Sequence, residues 1–324
     1  MSDKFLNQIL LHNVTDPWPL DDQSVNCIVT SPPYWRLRDY GVAGQLGLEK
    51  TPQEFIDKMV EVFHEAKRVL RDDGTLWANI GDSYFGGGRG SYGSQGTKQK
   101  TNVGSLIGPS AVPKSNKAKD LVGIPWMLAF ALRADGWYLR QDIIWSKPNP
   151  MPESVNDRCT KSHEYIFLLS KSPKYYFDAD AIKTVSDRAG EKSYHDFANK
   201  KYNAIVHERW KDQFDGRAWG GGGVANKRSV WNVPTNSFKD AHFATFPVEL
   251  IVNCIKAGCP QHCVVLDPFM GAGTTALVSA KLDRNFIGLE LNPEYIAMAN
   301  RRLKKELGLF ATPPDGMPLN QPGG

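Results

Sequence analysis

Residues 29–35 of this 324-residue chain read Val-Thr-Ser-Pro-Pro-Tyr-Trp, at the end of an apolar run that begins at Val25. The pattern is a strand feeding a rigid turn that ends in two aromatic rings. Each proline fixes its own φ and lacks an N–H, and Pro33 forces Pro32 into an extended conformation. The carbonyls of Ser31 and Pro32 are thereby kept out of a helical ladder and stay free to accept hydrogen bonds. Ser31 adds a hydroxyl, and Tyr34 and Trp35 add flat faces. Acceptors beside a stacking surface suit a planar group that carries an exocyclic NH2. The plainer alternative is a strand-to-loop turn with aromatic packing.

A second segment narrows the choice. Residues 264–275 read Val-Val-Leu-Asp-Pro-Phe-Met-Gly-Ala-Gly-Thr-Thr. A short buried strand leads to a tight turn at Gly271 and Gly273, and Thr274 opens a helix. Glycine lets backbone approach a ligand closely, so strand, Gly-rich turn and helix N-terminus make a nucleotide-type cradle. The next strand pattern, residues 286–289, ends in Glu290, where a carboxylate can take both hydroxyls of a ribose. The spacing differs from the dinucleotide fingerprint, and no Lys-Ser/Thr follows the glycines as in a P-loop. An adenosine-bearing ligand with a positive group near Asp267 remains, and S-adenosylmethionine fits, with its ammonium and its sulfonium.

Together the two segments resemble the amino-methyltransferases of DNA, which methylate the exocyclic nitrogen of cytosine (N4) or adenine (N6). The Ser-Pro-Pro-Tyr motif precedes the cofactor loop, an order similar to the circularly permuted beta group of that family. Residues 68–77, 141–150, 160–169 and 242–249 carry further matches, so the resemblance spans most of the chain. One departure is His12-Asn13, where the family has Gly-Asp; Asn13 keeps a side chain able to hydrogen-bond an adenine ring.

The resemblance implies roles. Ser31 and the Pro32 carbonyl accept from the target amine, Pro33 stiffens the turn, Tyr34 stacks on the base and Trp35 supports the pocket wall. Asp267, Phe269, Gly271, Gly273 and Thr274 line the methionine side of S-adenosylmethionine. Phe246 and Pro247 close over it, Glu290 holds the ribose, and Leu291 or Asn292 flanks the adenine. In this family Ser at the first motif position goes more often with cytosine N4, which the chain is expected to methylate in duplex DNA after flipping the base out. Adenine N6 methylation, a catalytically silent DNA binder and a protein amide methyltransferase are the alternatives. A cognate restriction endonuclease is a further expected partner.

The remaining features set outer bounds. Apolar content of 41% and charged content of 23% are those of an ordinary globular chain. No run approaches the roughly 20 apolar residues of a membrane span. The N-terminus lacks the basic start and apolar core of a signal peptide, so a cytoplasmic location in a prokaryotic or phage-infected cell is expected. A net charge of +4 permits nucleic-acid binding without arguing for it. Five cysteines, an odd number, fit a reducing compartment. Cys254, Cys259, His262 and Cys263 lack the short paired spacing of zinc sites, so no metal is expected.

Periodicity supplies the scaffold. Apolar positions over residues 53–70 have helical spacing, with Gly74 expected to end that helix and a strand at 76–80. Another helix at 122–134 and strands at 138–144 and 165–169 continue the alternation, and 248–257 is a helix. Such alternation implies a mostly parallel sheet with helices on both faces. The resemblance makes this a Rossmann-like, seven-stranded methyltransferase fold of the α/β class, with an antiparallel hairpin at one edge. Its catalytic half is residues 1–171, with a mobile basic loop at 83–120. A target-recognition region, 172–240, interleaves aromatic and basic residues. The cofactor-binding half is 241–310, and 311–324 is a flexible tail.

Overall fold

A computed structural model describes residues 2–37, 39–85, 117–185, 224–235 and 246–308. The first two strands are β1 (Gln8–Leu11) and β2 (Val25–Thr30), and helix α1 (Pro52–Val69) leads into β3 (Leu70–Ile80). Helix α2 (Ile124–Ala134) precedes β4 (Tyr138–Ser146) and β5 (His163–Ser170). Three short strands follow: β6 (Thr184–Val185), β7 (Val224–Ala225) and β8 (Val230–Asn232). The chain then runs α3 (Val248–Gly258), β9 (Val264–Asp267), α4 (Thr274–Lys281), β10 (Asn285–Glu290) and α5 (Pro293–Leu307).

Local chemistry accounts for these elements. The Thr51 hydroxyl caps α1 by accepting from the Glu54 N–H at 3.1 Å, and Pro52 takes the first turn, where its missing N–H costs nothing. The helix buries Phe55, Ile56, Met59, Val62, Phe63, Ala66 and Val69 along one stripe. At its C-terminus the Arg68 guanidinium donates to Glu65, to Asp22 and to the carbonyls of Trp18 and Leu20, which pins the chain that leads into β2. Asn292 caps α5 in the same way as Thr51 caps α1, accepting from the Glu294 N–H at 2.9 Å.

The chain divides into two units. The larger comprises residues 1–177 and 229–324, and the smaller comprises 178–228. In the larger unit eight strands lie in the order β1-β10-β9-β2-β3-β5-β4-β8. Six of them correspond to strand patterns read in the sequence, and β1 completes the seven-stranded sheet that the resemblance implies. The eighth, β8, is a three-residue strand that adds parallel to β4 and moves the sheet edge outward. All pairings are parallel except those of β5, which runs antiparallel to both β3 and β4. The β4–β5 hairpin therefore lies one strand inside the edge. The smaller unit holds the antiparallel pair β6–β7.

Two helix groups, α1 with α2 and α3 with α4 and α5, pack on the sheet. The central strand β2 is buried along nearly its whole length, as expected of a strand covered on both faces. From β2 the chain moves through α1 to β3 on one side; from β9 it moves through α4 to β10 on the other. The topology thus switches direction between β2 and β9, and a crevice opens there beyond the carboxyl ends of both strands, where open α/β sheets bind ligands.

Gly74 departs from expectation. It lies inside β3, and α1 ends at Val69 with no intervening turn, because Leu70 is already extended at φ −72°, ψ 138°. A Cβ on Gly74 would sit 2.6 Å from Leu70 Cδ1 and 2.9 Å from the Asn26 carbonyl oxygen. The glycine serves close strand packing rather than a helix stop. The stretch 172–240, read from sequence as one region, is shared between the units: 178–228 forms the smaller, whereas 172–177 and 229–235 belong to the larger, with only Val230–Asn232 joining the sheet. Residues 86–116, which hold Arg89, Lys98, Lys100 and Lys114 of the basic loop, lie outside the described residues. So do 186–223, 236–245 and the tail.

Candidate active site

The crevice gathers the two motifs. Ser31 follows the last residue of β2, and Asp267 ends the neighbouring β9. The Thr30 hydroxyl donates to Asp267 Oδ1 at 2.6 Å, which ties the Ser-Pro-Pro-Tyr turn directly to the Gly-rich loop. The Thr275 hydroxyl donates to Asp267 Oδ2 at 2.6 Å, and the Phe269 N–H donates to Oδ1 at 3.0 Å. Burial pushes the Asp267 carboxyl up to about 6, against the pull of these three donors. A buried carboxylate with that much desolvation and capacity for one more donor is suited to meet a cationic group.

The loop around it is shaped by backbone. Gly271 and Gly273 have φ of +51° and +76°, the left-handed region open to glycine. A Cβ on Gly273 would lie 2.8 Å from the Ala299 Cβ, so the loop is pressed against α5 with no room for a side chain. Arg302 of α5 fastens it from behind, donating to the Ala272 carbonyl at 3.2 Å and to the Thr274 hydroxyl at 2.8 Å. Glu290, at the end of β10, accepts from the Gly271 N–H and the Asn292 N–H, each at 2.8 Å, one on each oxygen. Both oxygens keep a lone pair for further donors, as two ribose hydroxyls would need. Burial raises the Glu290 carboxyl above its ordinary value, and the backbone donors oppose that.

Asn13 is brought beside this wall, because the neighbouring His12 N–H donates to the Glu290 carbonyl at 2.9 Å. Its side-chain oxygen accepts from the Thr15 N–H at 3.2 Å, which shapes the turn after β1. Phe246 and Pro247 stand at the start of α3, with Pro247 buried at its N-cap. The helix packs on α4 and β2, and the structure records no bond from either residue to the loop.

On the other side of the crevice the Pro-Pro turn presents Tyr34 and Trp35. The Trp35 indole N–H donates to the Glu49 carbonyl at 3.1 Å, and its ring meets Phe85 edge-on at 5.9 Å. Trp35 is buried, so it supports the turn from within. The Tyr34 hydroxyl donates to Glu164 Oε2 at 2.6 Å and lies 3.4 Å from Asn79 Oδ1. Burial and the adjoining Glu164 push the phenol well above its ordinary range, while a hydrogen bond from Ser31 pulls the other way. Tyr34 therefore stays a neutral donor. Lys147 forms an ion pair with the second oxygen of Glu164, and the two side chains are only 17% and 14% exposed. Asn79 adds a 3.4 Å contact to Glu164 and donates to the Tyr165 carbonyl at 3.1 Å.

Sequence reasoning named neither Thr30 and Thr275 nor the Glu164–Lys147 pair. The antiparallel run of β5 is the reason for the second omission. It puts the start of β5 beside the ends of β3 and β4, so Glu164 arrives at the crevice from a residue 130 positions beyond Tyr34.

A switch-point crevice, a strand-end acid on each of two adjacent strands and a Ser-Pro-Pro-Tyr turn make this the candidate active site. A family model described as DNA methylase, of the N6/N4 type, matches residues 25–301. The chain belongs to this DNA methylase family. It is 48% identical over 287 residues to the Type II methyltransferase M.Cfr9I of Citrobacter freundii, a match covering 89% of this chain and 84% of that protein. It is 46% identical over 285 residues to M.SmaI of Serratia marcescens, covering 88% and 86%. Among solved structures, the PvuII DNA methyltransferase (cytosine-N4-specific) aligns with a TM-score of 0.60 at 16% identity, over 91% of this chain and 85% of the other. A putative DNA modification methylase of Thermus thermophilus, complexed with S-adenosyl-L-methionine, aligns with a TM-score of 0.58 at 22% identity, over 94% and 95%. These two likenesses establish the Rossmann-like methyltransferase fold.

Proposed function

We propose that this DNA methyltransferase moves a methyl group from S-adenosylmethionine to N4 of a cytosine flipped out of duplex DNA. The observation that carries the reading is the Thr30–Asp267 hydrogen bond. It joins the turn suited to a ring amine to the loop suited to an adenosine cofactor, so acceptor and donor would meet in one crevice.

The residues present fit the cofactor. Gly271 and Gly273 adopt the left-handed backbone that a tight ligand-binding turn requires, Glu290 has acceptor capacity for two hydroxyls, and Asp267 is a buried anion for the ammonium. Bound there, S-adenosylmethionine supplies an electrophilic methyl. Phe269 and Thr274 would complete the methionine side, Asn292 and Asn13 would flank the adenine, and Phe246 and Pro247 would close the pocket.

A ring amine is a weak nucleophile because its lone pair is delocalised into the ring. Ser31 and the Pro32 carbonyl would accept its two N–H bonds and so turn the lone pair toward the methyl. Tyr34 would stack on the base, Pro33 would hold the turn rigid and Trp35 would brace it. Alignment supplies much of the rate, since a well-placed pair avoids the entropy of encounter. No strong base is required before attack, and the surplus proton leaves afterwards. Residues 172–240 would carry the target recognition, with basic side chains on phosphates and polar ones on base edges. Among the described residues no helix is long and apolar enough to cross a membrane. A cytoplasmic setting and a cognate restriction endonuclease complete the proposal, in keeping with the Type II relatives.

The test is digestion of DNA incubated with the protein and S-adenosylmethionine, then nucleoside mass spectrometry. N4-methylcytosine is expected. N6-methyladenine would keep the mechanism and overturn the choice of base made from Ser31. Neither product, on unmethylated genomic DNA of mixed sequence, would refute the reading.

A further inference from the structure

Glu164 has no role in the mechanism above, yet it accepts from the Tyr34 hydroxyl, from Asn79 and from Lys147. We infer that Glu164 is a positioning residue for methyl transfer, acting through the Tyr34 hydroxyl to fix and polarise the ring that stacks on the target base. The inference rests on the proposed function and deepens it.

Geometry comes first. The Tyr34 ring is clamped at two points. Its hydroxyl is held by Glu164 Oε2 at 2.6 Å. Its edge packs on backbone at Gly81, where a Cβ would come within 2.6 Å of Tyr34 Cε2. A ring fixed at its tip and along one edge cannot swing about its own axis, so the plane offered to a base is set before the base arrives. Preorganisation of this kind spares ordering at the moment of reaction.

Charge comes second. As the methyl moves, the amine nitrogen and the ring bearing it become cationic. A phenol that donates a short hydrogen bond to a carboxylate carries more electron density over its ring than a phenol in water. A stacked ring of that kind attracts a cation more than a neutral base. The interaction is therefore stronger in the transition state than in the ground state, which is the condition for raising kcat. Lys147 makes the arrangement durable. It pairs with the other oxygen, Oε1, and leaves Oε2 to Tyr34 and Asn79. Its own charge also lies 4.2 Å over the Trp145 ring, a second contact that fixes its position.

A purely structural ion pair makes different predictions. Removing Glu164 alone would strand a largely buried Lys147, so the test removes both charges together. Glu164→Gln with Lys147→Met keeps a neutral acceptor for the Tyr34 hydroxyl, and Glu164→Leu with Lys147→Met removes it. Single-turnover transfer of a tritiated methyl to unmethylated genomic DNA, with calorimetry for S-adenosylmethionine binding, reads the outcome. The Leu/Met protein is expected to transfer methyl about 10- to 100-fold more slowly, with cofactor affinity within about 2-fold of wild type. The Gln/Met protein should fall between the two. Tyr34→Phe should slow the wild type but add little to the Leu/Met protein, because the two changes break one interaction. A folded Leu/Met protein with the wild-type rate would overturn the inference, and so would a full additive effect of Tyr34→Phe. Absence of transfer by the wild type would overturn the proposed function itself, and the inference with it.

Discussion

Thr275→Val removes a hydroxyl from Asp267 while keeping the branched shape of the side chain. That hydroxyl donates a 2.6 Å hydrogen bond to Oδ2. Burial carries the carboxyl from an ordinary 3.8 to about 6, and Thr275 is the first of the donors that oppose it. A hydrogen bond to an ionised group contributes about 1.5–3 kcal/mol, and one pH unit corresponds to about 1.4 kcal/mol, so its loss should raise the carboxyl by roughly 1–2 pH units further. Under the proposed arrangement the cofactor ammonium selects the ionised carboxylate. Cofactor affinity should then be flat at neutral pH in the wild type and fall about tenfold per pH unit as pH drops below about 6. In Thr275→Val the fall should begin roughly 1–2 pH units higher. The effect on the protein without cofactor has the opposite sign. The folded chain holds a proton between 3.8 and about 6 that the unfolded chain has lost, so this group adds stability as pH falls through that window. Calorimetric titration with S-adenosylmethionine across that range, for both proteins, checks the reasoning. Superimposable affinity profiles would refute it, because they would mean that Asp267 does not meet the ligand's charge or that Thr275 does not hold it ionised.

Three further outcomes follow from the same geometry. Ser31→Ala removes an acceptor from the target amine but touches nothing in the Gly-rich loop, so turnover should fall at least about 100-fold with cofactor affinity unchanged; parallel loss of both would place Ser31 elsewhere. Gly273→Ala forces a side chain into φ +76° and against Ala299 at 2.8 Å. It should cost about 2–5 kcal/mol by urea unfolding, from left-handed strain and overpacking together, and Ala299→Gly should restore only the overpacking part. Glu290→Ala leaves the Gly271 and Asn292 N–H groups without their acceptor. Cofactor affinity should drop at least about 10-fold while duplex binding, read by fluorescence anisotropy in the absence of cofactor, holds.

Local patterning made much of this legible. The strand endings at Asp267 and Glu290 stood out because an apolar run must stop where the chain leaves the buried sheet, and a polar residue there faces the crevice by construction. Pro32 and Pro33 limit their own backbone, and Gly271 and Gly273 permit conformations that other residues resist, whatever surrounds them. The helical stripe over 53–70 was visible because it repeats every three to four residues. Gly74 was misread for a related reason: a glycine after a helical pattern is usually a stop, and only the approach of Leu70 and Asn26 shows that it serves the strand. The three-residue β8 is too short to carry a period, and it becomes a strand by pairing with β4.

The types and order of the chemical groups were thus determined by the sequence itself: a Ser-Pro-Pro-Tyr turn, a glycine cradle and an acid at the end of each of two strands. Tertiary structure alone decided which groups touch. It placed β2 beside β9 so that Thr30 reaches Asp267 across 237 positions of chain. It reversed β5 so that Glu164 and Lys147 meet Tyr34, and it set Arg302 behind the cofactor loop. The physical reason is that backbone limits and apolar period act over a few residues and are written locally. A hydrogen bond between distant strands depends on sheet order, which is settled by the packing of the whole domain.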